Sequence, residues 1–132
     1  MAARNDQFMR IARVLQFIHT DFARTLSTED LAKHARMSVS TFHQNFKAVT
    51  ATSPLQYLKN IRLHRARLLM VNAGHNANTA AMAVGYESAS QFGREFKRLF
   101  GGSPADDASR LRERLANVKV RTLDRWMPAE SA

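Results

Sequence analysis

Two stretches of the sequence, each predicted to be helical, place long hydrogen-bond donors on their outward faces. Phe42 and Phe46 mark the inward face of the first stretch, and Phe92 and Phe96 mark that of the second. The outward positions begin with small residues and continue with histidine, glutamine or arginine. Such a slim start lets a helix enter the DNA major groove, where glutamine pairs with adenine and arginine with guanine. We therefore predict base contacts by Val39, Ser40, His43, Gln44, Ala89, Ser90, Gln91 and Arg94.

The same stretches carry cations further along and a serine at each start. Lysine and arginine neutralise phosphates, and the free N–H groups at a helix start can donate to them. For Lys47 and Lys97 the alternative is plain solvated charge, and for His43 it is a solvated side chain. The predicted phosphate contacts are Ser38, Lys47, Ser88, Lys97 and Arg98.

Both stretches belong to an internal repeat. Residues 38–54 read SVSTFHQNFKAVTATSP, and residues 88–104 read SASQFGREFKRLFGGSP. Such a repeat indicates one structural unit presented twice, in which the aromatic pairs form core rather than platforms for stacking bases. The coincident pairs are Ser38 and Ser88, Ser40 and Ser90, Phe42 and Phe92, Phe46 and Phe96, Lys47 and Lys97, Ser53 and Ser103, and Pro54 and Pro104.

Helical patterns around the repeat predict the elements that position it. Apolar residues recur at helical spacing over about 6–22, which predicts a first core-facing helix. Ser27 with Asp30 is typical of an N-cap with an acidic first turn, and it opens a short second helix. A tight turn at 36–37 and a cap at Ser38 or Ser40 complete a helix-turn-helix. Val49 is expected to face inward behind the two phenylalanines.

The segment between the two copies predicts a long linking helix. Ser53-Pro54 is a start signal, and the helix is expected to end near Asn72. Its length is roughly 28 Å, against about 34 Å for one turn of DNA, so both reading helices can occupy successive major grooves. Arg62 and Arg65 are predicted to be structural, pairing with acidic residues or lying along apolar neighbours. The expected buried positions are Leu55, Leu58, Ile61, Leu68 and Leu69.

The second copy repeats the first with a turn that is one residue longer. Asn78 is the predicted cap of a short helix over 79–84, and Gly85-Tyr86 forms the turn. Leu99 is expected to face inward in the reading helix that follows. The chain is thus predicted to be all-α, with about seven helices. The predicted units are a first helix-turn-helix subdomain at 6–52, the linking helix at 53–74, a second subdomain at 75–116, and a tail without regular structure at 117–132.

The composition limits the kind of partner that the chain can bind and excludes several kinds of catalytic and metal site. Twenty Lys and Arg against eleven Asp and Glu give a net charge of +9, which favours an anionic partner: nucleic acid, an anionic membrane surface or an acidic protein. The alternative is a surface charge that serves only solubility. The chain has no cysteine, which excludes thiolate zinc sites and cysteine nucleophiles and fits a reducing cytoplasm. Since it shows no HExxH, phosphate loop or nucleophile–base pair, we expect no enzyme activity, metal or cofactor. Neither a signal peptide nor a membrane-length apolar run is visible.

The second copy carries the residues of a known family. Ala81, Val84-Gly85-Tyr86, Ser90, Phe92, Arg94, Phe96-Lys97, Phe100-Gly101 and Ser103-Pro104 resemble the C-terminal DNA-binding domain of AraC/XylS-family bacterial transcription regulators. The resemblance covers about 6–115. It implies seven helices, sequence-specific promoter binding, contact with RNA polymerase and a place on the nucleoid. Most members of the family carry a further N-terminal domain for an effector or for dimerisation, so the chain is interpreted as part of a longer regulator. The alternative is an activator that consists of the two helix-turn-helix subdomains alone.

The chain departs from the family pattern at three places. Gln44 stands where arginine is common, which affects base preference in the first half-site. Gly93 lies inside the second reading helix, at a cost of about 1 kcal/mol relative to alanine. The small Ala80-Ala81 pair is expected to thin the second core.

The alternative function is a helix-turn-helix module that contacts RNA polymerase or another regulator without reading DNA.

Overall fold

The computed structural model describes residues 2–126, which form helices joined by short turns and loops, without a strand. The predicted all-α architecture is confirmed, and the turns between paired helices differ by the predicted one residue: 35–38 in the first copy and 84–88 in the second. Within these residues no helix combines the length and apolar character needed to span a membrane. The helices are α1 (Ala2–Asp21), α2 (Thr28–His34), α3 (Val39–Thr50), α4 (Pro54–Asn72), α5 (Ala77–Ala83), α6 (Ala89–Phe100) and α7 (Pro104–Trp126).

Side-chain oxygens cap the helix starts much as the sequence predicts. Ser27 and Asp30 form a reciprocal capping box, with the two backbone-to-side-chain bonds at 3.1 and 3.0 Å. Ser38, and not Ser40, caps α3. The predicted cap of α5 was wrong, because Asn76 rather than Asn78 accepts a hydrogen bond from the Thr79 backbone N–H, at 2.8 Å. The helix therefore begins earlier, and Asn78 lies within its first turn.

The helices enclose two hydrophobic cores that share α4. The first core joins α1, α2 and α3 to Leu58 near the start of α4. The second joins α5, α6 and Ala108 of α7 to Leu63, Ala66 and Met70 in the later part of α4. Phe22, just after α1, packs against both cores. Each copy of the repeat is therefore a unit with its own core, and α4 contributes residues to both cores.

Four residues expected inside are exposed at the surface. Leu55 and Leu68 of the linking helix are 44% and 49% exposed, whereas Leu63 and Met70 are buried. Leu68 lies two positions from Met70, about 200° around the helix, and so faces away from the second core. Val49 and Leu99 are 39% and 40% exposed, because two aromatic rings one helical turn apart already fill each inward face.

The last helix is longer than the sequence indicates. It begins after Ser103 as expected, and Ser103 Oγ accepts a hydrogen bond from the Asp106 backbone N–H at 3.3 Å. It then continues to Trp126, beyond the predicted boundary at residue 116. The prediction of an irregular tail is corrected for 117–126, where backbone helix propagates from the docked first turns. The rest of the predicted tail, 127–132, lies outside the described residues.

Candidate nucleic-acid interface

The first reading helix, α3, is anchored from inside and free on its outer face. Phe42 and Phe46 are fully buried, with ring centroids 5.5 Å apart, and Phe46 also meets the ring of Tyr57 edge-on. These contacts fix the rotation of α3 about its axis, so the positions opposite the two rings face solvent. The predicted contact residues of this helix are all exposed: Ser38, Val39, Ser40, His43, Gln44 and Lys47.

The second reading helix, α6, repeats this arrangement with a more basic outer face. Phe92 and Phe96 are buried, with centroids 5.6 Å apart, and Phe96 also packs on Phe100 at 4.5 Å. Within residues 2–126, Arg94, Lys97 and Arg98 form no ion pair, so their charges are available to an external anion. The predicted contact residues of α6 are likewise all exposed: Ser88, Ala89, Ser90, Gln91, Arg94, Lys97 and Arg98.

The one carboxylate of α6 is turned away from that outer face. Glu95 Oε1 lies 2.7 Å from Lys59 Nζ of the linking helix, and the Glu95 side chain is only 16% exposed. Burial raises the pKa of Glu95, but the hydrogen bond and charge of Lys59, together with hydrogen bonding to Tyr86 and Gln91, outweigh burial and hold this pKa below its usual value. Glu95 is therefore ionised and paired at neutral pH, and it does not repel an anion approaching α6.

The serine caps at the two helix starts are already engaged in local hydrogen bonds. Ser38 Oγ and Ser88 Oγ each accept a backbone N–H three residues on, at 3.2 Å, from Thr41 and Gln91 respectively. Ser38 also donates its hydroxyl proton to Thr41 Oγ1 at 3.0 Å. Among the described residues the Ser88 hydroxyl donates no hydrogen bond, so its proton can be donated to an external acceptor. Near Ser38, the backbone N–H groups of the first turn are the better donors to a phosphate.

Gly93 lies within α6 beside the predicted reader Arg94. A Cβ built at this glycine meets nothing within 4 Å, so packing inside the protein does not require glycine here. The missing side chain leaves room on the helix surface next to the arginine.

Sequence reasoning missed the contacts that position the two helices. The predicted structural roles of Arg62 and Arg65 hold, but Arg62 binds the backbone carbonyls of Phe22 and Arg24 rather than a carboxylate. Arg65 lies over the ring of Phe22, 5.6 Å from its centroid. The Arg67–Asp107 and Lys59–Glu95 pairs had no sequence signal, because each joins residues far apart in the chain.

Histidines and acidic residues do not gather into a metal site. Within residues 2–126, no group of three or more His, Asp and Glu residues is close enough to hold an ion. His19 shares a 2.8 Å hydrogen bond with the Tyr57 hydroxyl, and His64 meets the Phe100 ring edge-on at 5.1 Å. His43 remains exposed on α3.

The sequence is similar to helix-turn-helix transcription regulators. Residues 31–110 match the family described as a helix-turn-helix domain. The HTH-type transcriptional activator RhaS of Klebsiella pneumoniae strain 342 is 30% identical over 105 residues. That match covers 80% of this chain but 37% of the relative, so the chain spans little more than a third of the relative's length.

Solved structures share the same arrangement of helices. The DNA-binding domain of the global transcriptional factor AdpA, in complex with a target DNA, superposes with a TM-score of 0.75 at 29% identity. The match covers 79% of this chain and 94% of that domain. A transcriptional regulator with an AraC-type DNA-binding domain from Chromobacterium violaceum has a TM-score of 0.71 at 23% identity, over 76% of this chain and 89% of that one, which shows the shared fold.

Proposed function

The chain belongs to the AraC-type helix-turn-helix family of DNA-binding transcription regulators, and from this premise we propose that α3 and α6 read two half-sites of one promoter. This family is not one of enzymes. The observation that carries the proposal is the pair of anchored helices whose outer faces are exposed, lack unpaired carboxylates and are basic at their ends. The likeness to a domain solved on its target DNA supports it.

The length of α4 supports simultaneous binding in successive major grooves. Its nineteen residues span roughly 28 Å, close to the pitch of one DNA turn. Because the outward residues of α3 and α6 differ, the proposed site is asymmetric. We infer that His43 and Gln44 contribute to one half-site and Gln91 and Arg94 to the other. Selection from a random DNA pool is expected to return two unlike half-sites about one turn apart, whereas recovery of no shared motif contradicts the proposal.

RNA polymerase is the proposed protein partner. The support is the similarity of the chain to RhaS, a transcriptional activator. The role as an interaction module without DNA reading is not favoured, given the likeness to a domain bound to target DNA. A gel-shift experiment separates the two functions, since a DNA-reading domain shows retardation that weakens steeply with salt. The proposed site of action is the nucleoid.

Replacing Arg94 with alanine is expected to weaken binding to the selected site by about 1–3 kcal/mol and to relax base preference in one half-site. Arginine donates two hydrogen bonds to one guanine, and alanine can form neither of them. Titrations of labelled duplexes carrying each base at each position measure the effect. Arg114→Ala, which removes another exposed arginine, from α7, is the matched control. Unchanged specific affinity in Arg94→Ala would show that this arginine does not read a base.

Replacing Lys97 with alanine is expected to weaken binding to selected and random duplexes alike. The side chain is an exposed cation beyond the reading turns of α6, so its contact is with phosphate and carries no sequence information. The slope of log affinity against log salt is expected to fall in magnitude by about one. Measurement at several salt concentrations on both duplexes tests this. A loss confined to the selected duplex would instead assign Lys97 to base reading.

A further inference from the structure

The two helix-turn-helix units meet at a junction built from the loop between α1 and α2. Arg62 of the linking helix donates from Nε to the Phe22 carbonyl at 2.6 Å and from Nη2 to the Arg24 carbonyl at 2.7 Å. The guanidinium is planar, and a two-point contact through it fixes orientation as well as distance. Arg62 thereby holds the loop against α4 immediately before Leu63, the first residue of α4 in the second core.

The turn of the second unit rests directly on the same loop. Gly85 lies between α5 and α6 with φ of +101°, and a Cβ built on it would lie 2.7 Å from the Ala23 carbonyl oxygen. Only glycine permits this backbone conformation and this approach together. Ala23 lies between the two carbonyls that Arg62 binds. Arg62 therefore holds in place the surface on which the second unit's turn is seated.

A third contact ties the second reading helix itself to the first half of α4. Lys59 Nζ and Glu95 Oε1 are 2.7 Å apart, and the Glu95 side chain is mostly buried. Tyr86, next to Gly85, is 6% exposed, and burial together with the neighbouring Glu95 carboxylate raises the pKa of its hydroxyl. The phenol is therefore neutral and adds no second negative charge beside Glu95. Three separate points, at the loop, the turn and α6, thus join the units.

We propose that this junction, formed by Arg62, the Gly85–Ala23 contact and the Lys59–Glu95 pair, sets the half-site spacing that the chain accepts. The inference rests on the proposed function, because it concerns how α3 and α6 reach their two grooves together. Adding one base pair moves a half-site by about 3.4 Å and rotates it by about 35°. A junction fixed at three points cannot follow that displacement, so Arg62 acts as a positioning residue for spacing specificity without touching DNA.

The competing explanation is that the shared helix α4 alone keeps the two units in register. The two explanations predict different results when Arg62 no longer binds the loop between α1 and α2. If α4 suffices, loss of the Arg62 hydrogen bonds changes neither the distance between units nor the spacing preference. If the junction is required, the second unit gains freedom relative to the first while each unit keeps its own core.

A distance measurement without DNA tests the junction directly. The chain has no cysteine, so Lys33→Cys on α2 and Ser109→Cys on α7, both exposed, give one spin label in each unit. Pulsed electron resonance is expected to show a narrow distance distribution, which Arg62→Ala broadens. Arg112→Ala is the matched control, because Arg112 also donates to a backbone carbonyl, that of Met70, but within the second unit. A distribution that stays narrow in Arg62→Ala overturns the inference.

Binding to a spacing series tests the consequence for DNA. The two selected half-sites are placed at their native separation and with one base pair added or removed. The ratio of native to altered affinity is expected to fall about tenfold in Arg62→Ala, in which two charge-assisted hydrogen bonds are lost, and to stay unchanged in Arg112→Ala. An unchanged ratio in Arg62→Ala overturns the spacing role.

Two further outcomes keep the tests decisive. Should Arg62→Ala fail to fold, Arg62→Lys retains the charge but not the two-point contact, and it is expected to give an intermediate broadening and ratio; wild-type values for both contradict the inference. Should the unsubstituted chain bind no duplex, the proposed function fails, and the spacing role with it. The labelled distances then still report whether Arg62 holds the units together.

Discussion

The variant Arg67→Ala is expected to lose about 3 kcal/mol of unfolding free energy, although the residue contacts no predicted DNA-reading side chain. Arg67 donates from Nε and Nη2 to the two carboxylate oxygens of Asp107, each at 2.8 Å. Its guanidinium also lies over the Phe100 ring, 4.2 Å from the centroid. Asp107 is 5% exposed, so removal of the arginine leaves a buried carboxylate without its cation.

The size of the effect follows from that stranded charge rather than from the pair's own attraction. Breaking a buried pair by removing one partner costs about 3–5 kcal/mol, because the remaining ion has lost its hydration and its partner together. Two features place this pair at the lower end. The Arg67 side chain is 29% exposed, which lets water approach, and Asp107 lies in the first turn of α7, where the helix dipole favours an anion.

Urea unfolding at neutral pH measures the loss. Arg65→Ala is the control, since Arg65 is two positions earlier on α4 and lies over an aromatic ring, with no carboxylate partner in the described part of the chain. It is expected to lose about 1 kcal/mol or less. The double variant Arg67→Ala with Asp107→Ala is expected to be more stable than Arg67→Ala alone. If the two single arginine variants are equally stable, the pair contributes nothing beyond ring contact.

Local hydrogen bonding explains why the helix starts could be predicted from the sequence. Each cap joins a side chain to a backbone group three residues away, so the pattern of Ser27 with Asp30 contains the whole interaction. The repeat adds a second line of evidence, because Ser38 and Ser88 occupy corresponding positions. The prediction failed at α5, where Asn76 and Asn78 are both good caps and the local sequence does not distinguish them.

Long-range partners could not be predicted, because nothing in the local sequence selects them. Arg67 and Asp107 are 40 positions apart, and Arg62 binds carbonyl groups that every residue carries. The same reason accounts for the exposed Leu55 and Leu68. A leucine at helical spacing is buried only where another element covers it. Leu55 precedes the residue of α4 that joins the first core, Leu58, and Leu68 lies along the second core but on the opposite face of α4 from Met70.

The sequence is sufficient to predict that the proposed contact residues of α3 and α6 are exposed. Once the two phenylalanines of each helix are assigned to the core, helical geometry places the positions on the opposite face outside. Which base each side chain meets stays a prediction, because it depends on the DNA and on how far α6 stands from α3. The contacts of Arg62 and Gly85 bear on that distance, and neither has a local signal beyond the glycine itself.

The variant Phe96→Ala is expected to destabilise the protein by about 3–5 kcal/mol, and by more than Phe46→Ala at the corresponding position of the first unit. Both rings are fully buried, so both substitutions remove a large apolar side chain from water-free surroundings. The transfer free energy lost is the same in the two variants. The difference must come from how far each core can close around the space that remains.

The two cores differ in the side chains that could fill that space. The second core is rich in alanine: Ala66, Ala80, Ala81 and Ala108 are all buried in it. Alanine has no side-chain rotamers and cannot move into a cavity. The first core, to which Phe46 belongs, contains longer aliphatic residues, among them Ile11, Ile18 and Leu31, which can shift their side chains. Residual cavity volume adds to the cost of a large-to-small substitution, so we expect Phe96→Ala to be the worse by about 1 kcal/mol.

Urea unfolding of the two variants beside the unsubstituted chain provides the comparison, with the denaturant slope checked so that midpoints can be read as stabilities. Leu99→Ala is the control within α6, because that side chain is 40% exposed and its loss is expected to cost less than about 1 kcal/mol. Equal losses for Phe46→Ala and Phe96→Ala, or a larger loss for Phe46→Ala, would show that the alanine-rich core relaxes as freely as the other. In that case α4, α5 and α6 can move together to close the cavity, even though the alanines between them have no side chains that could fill it.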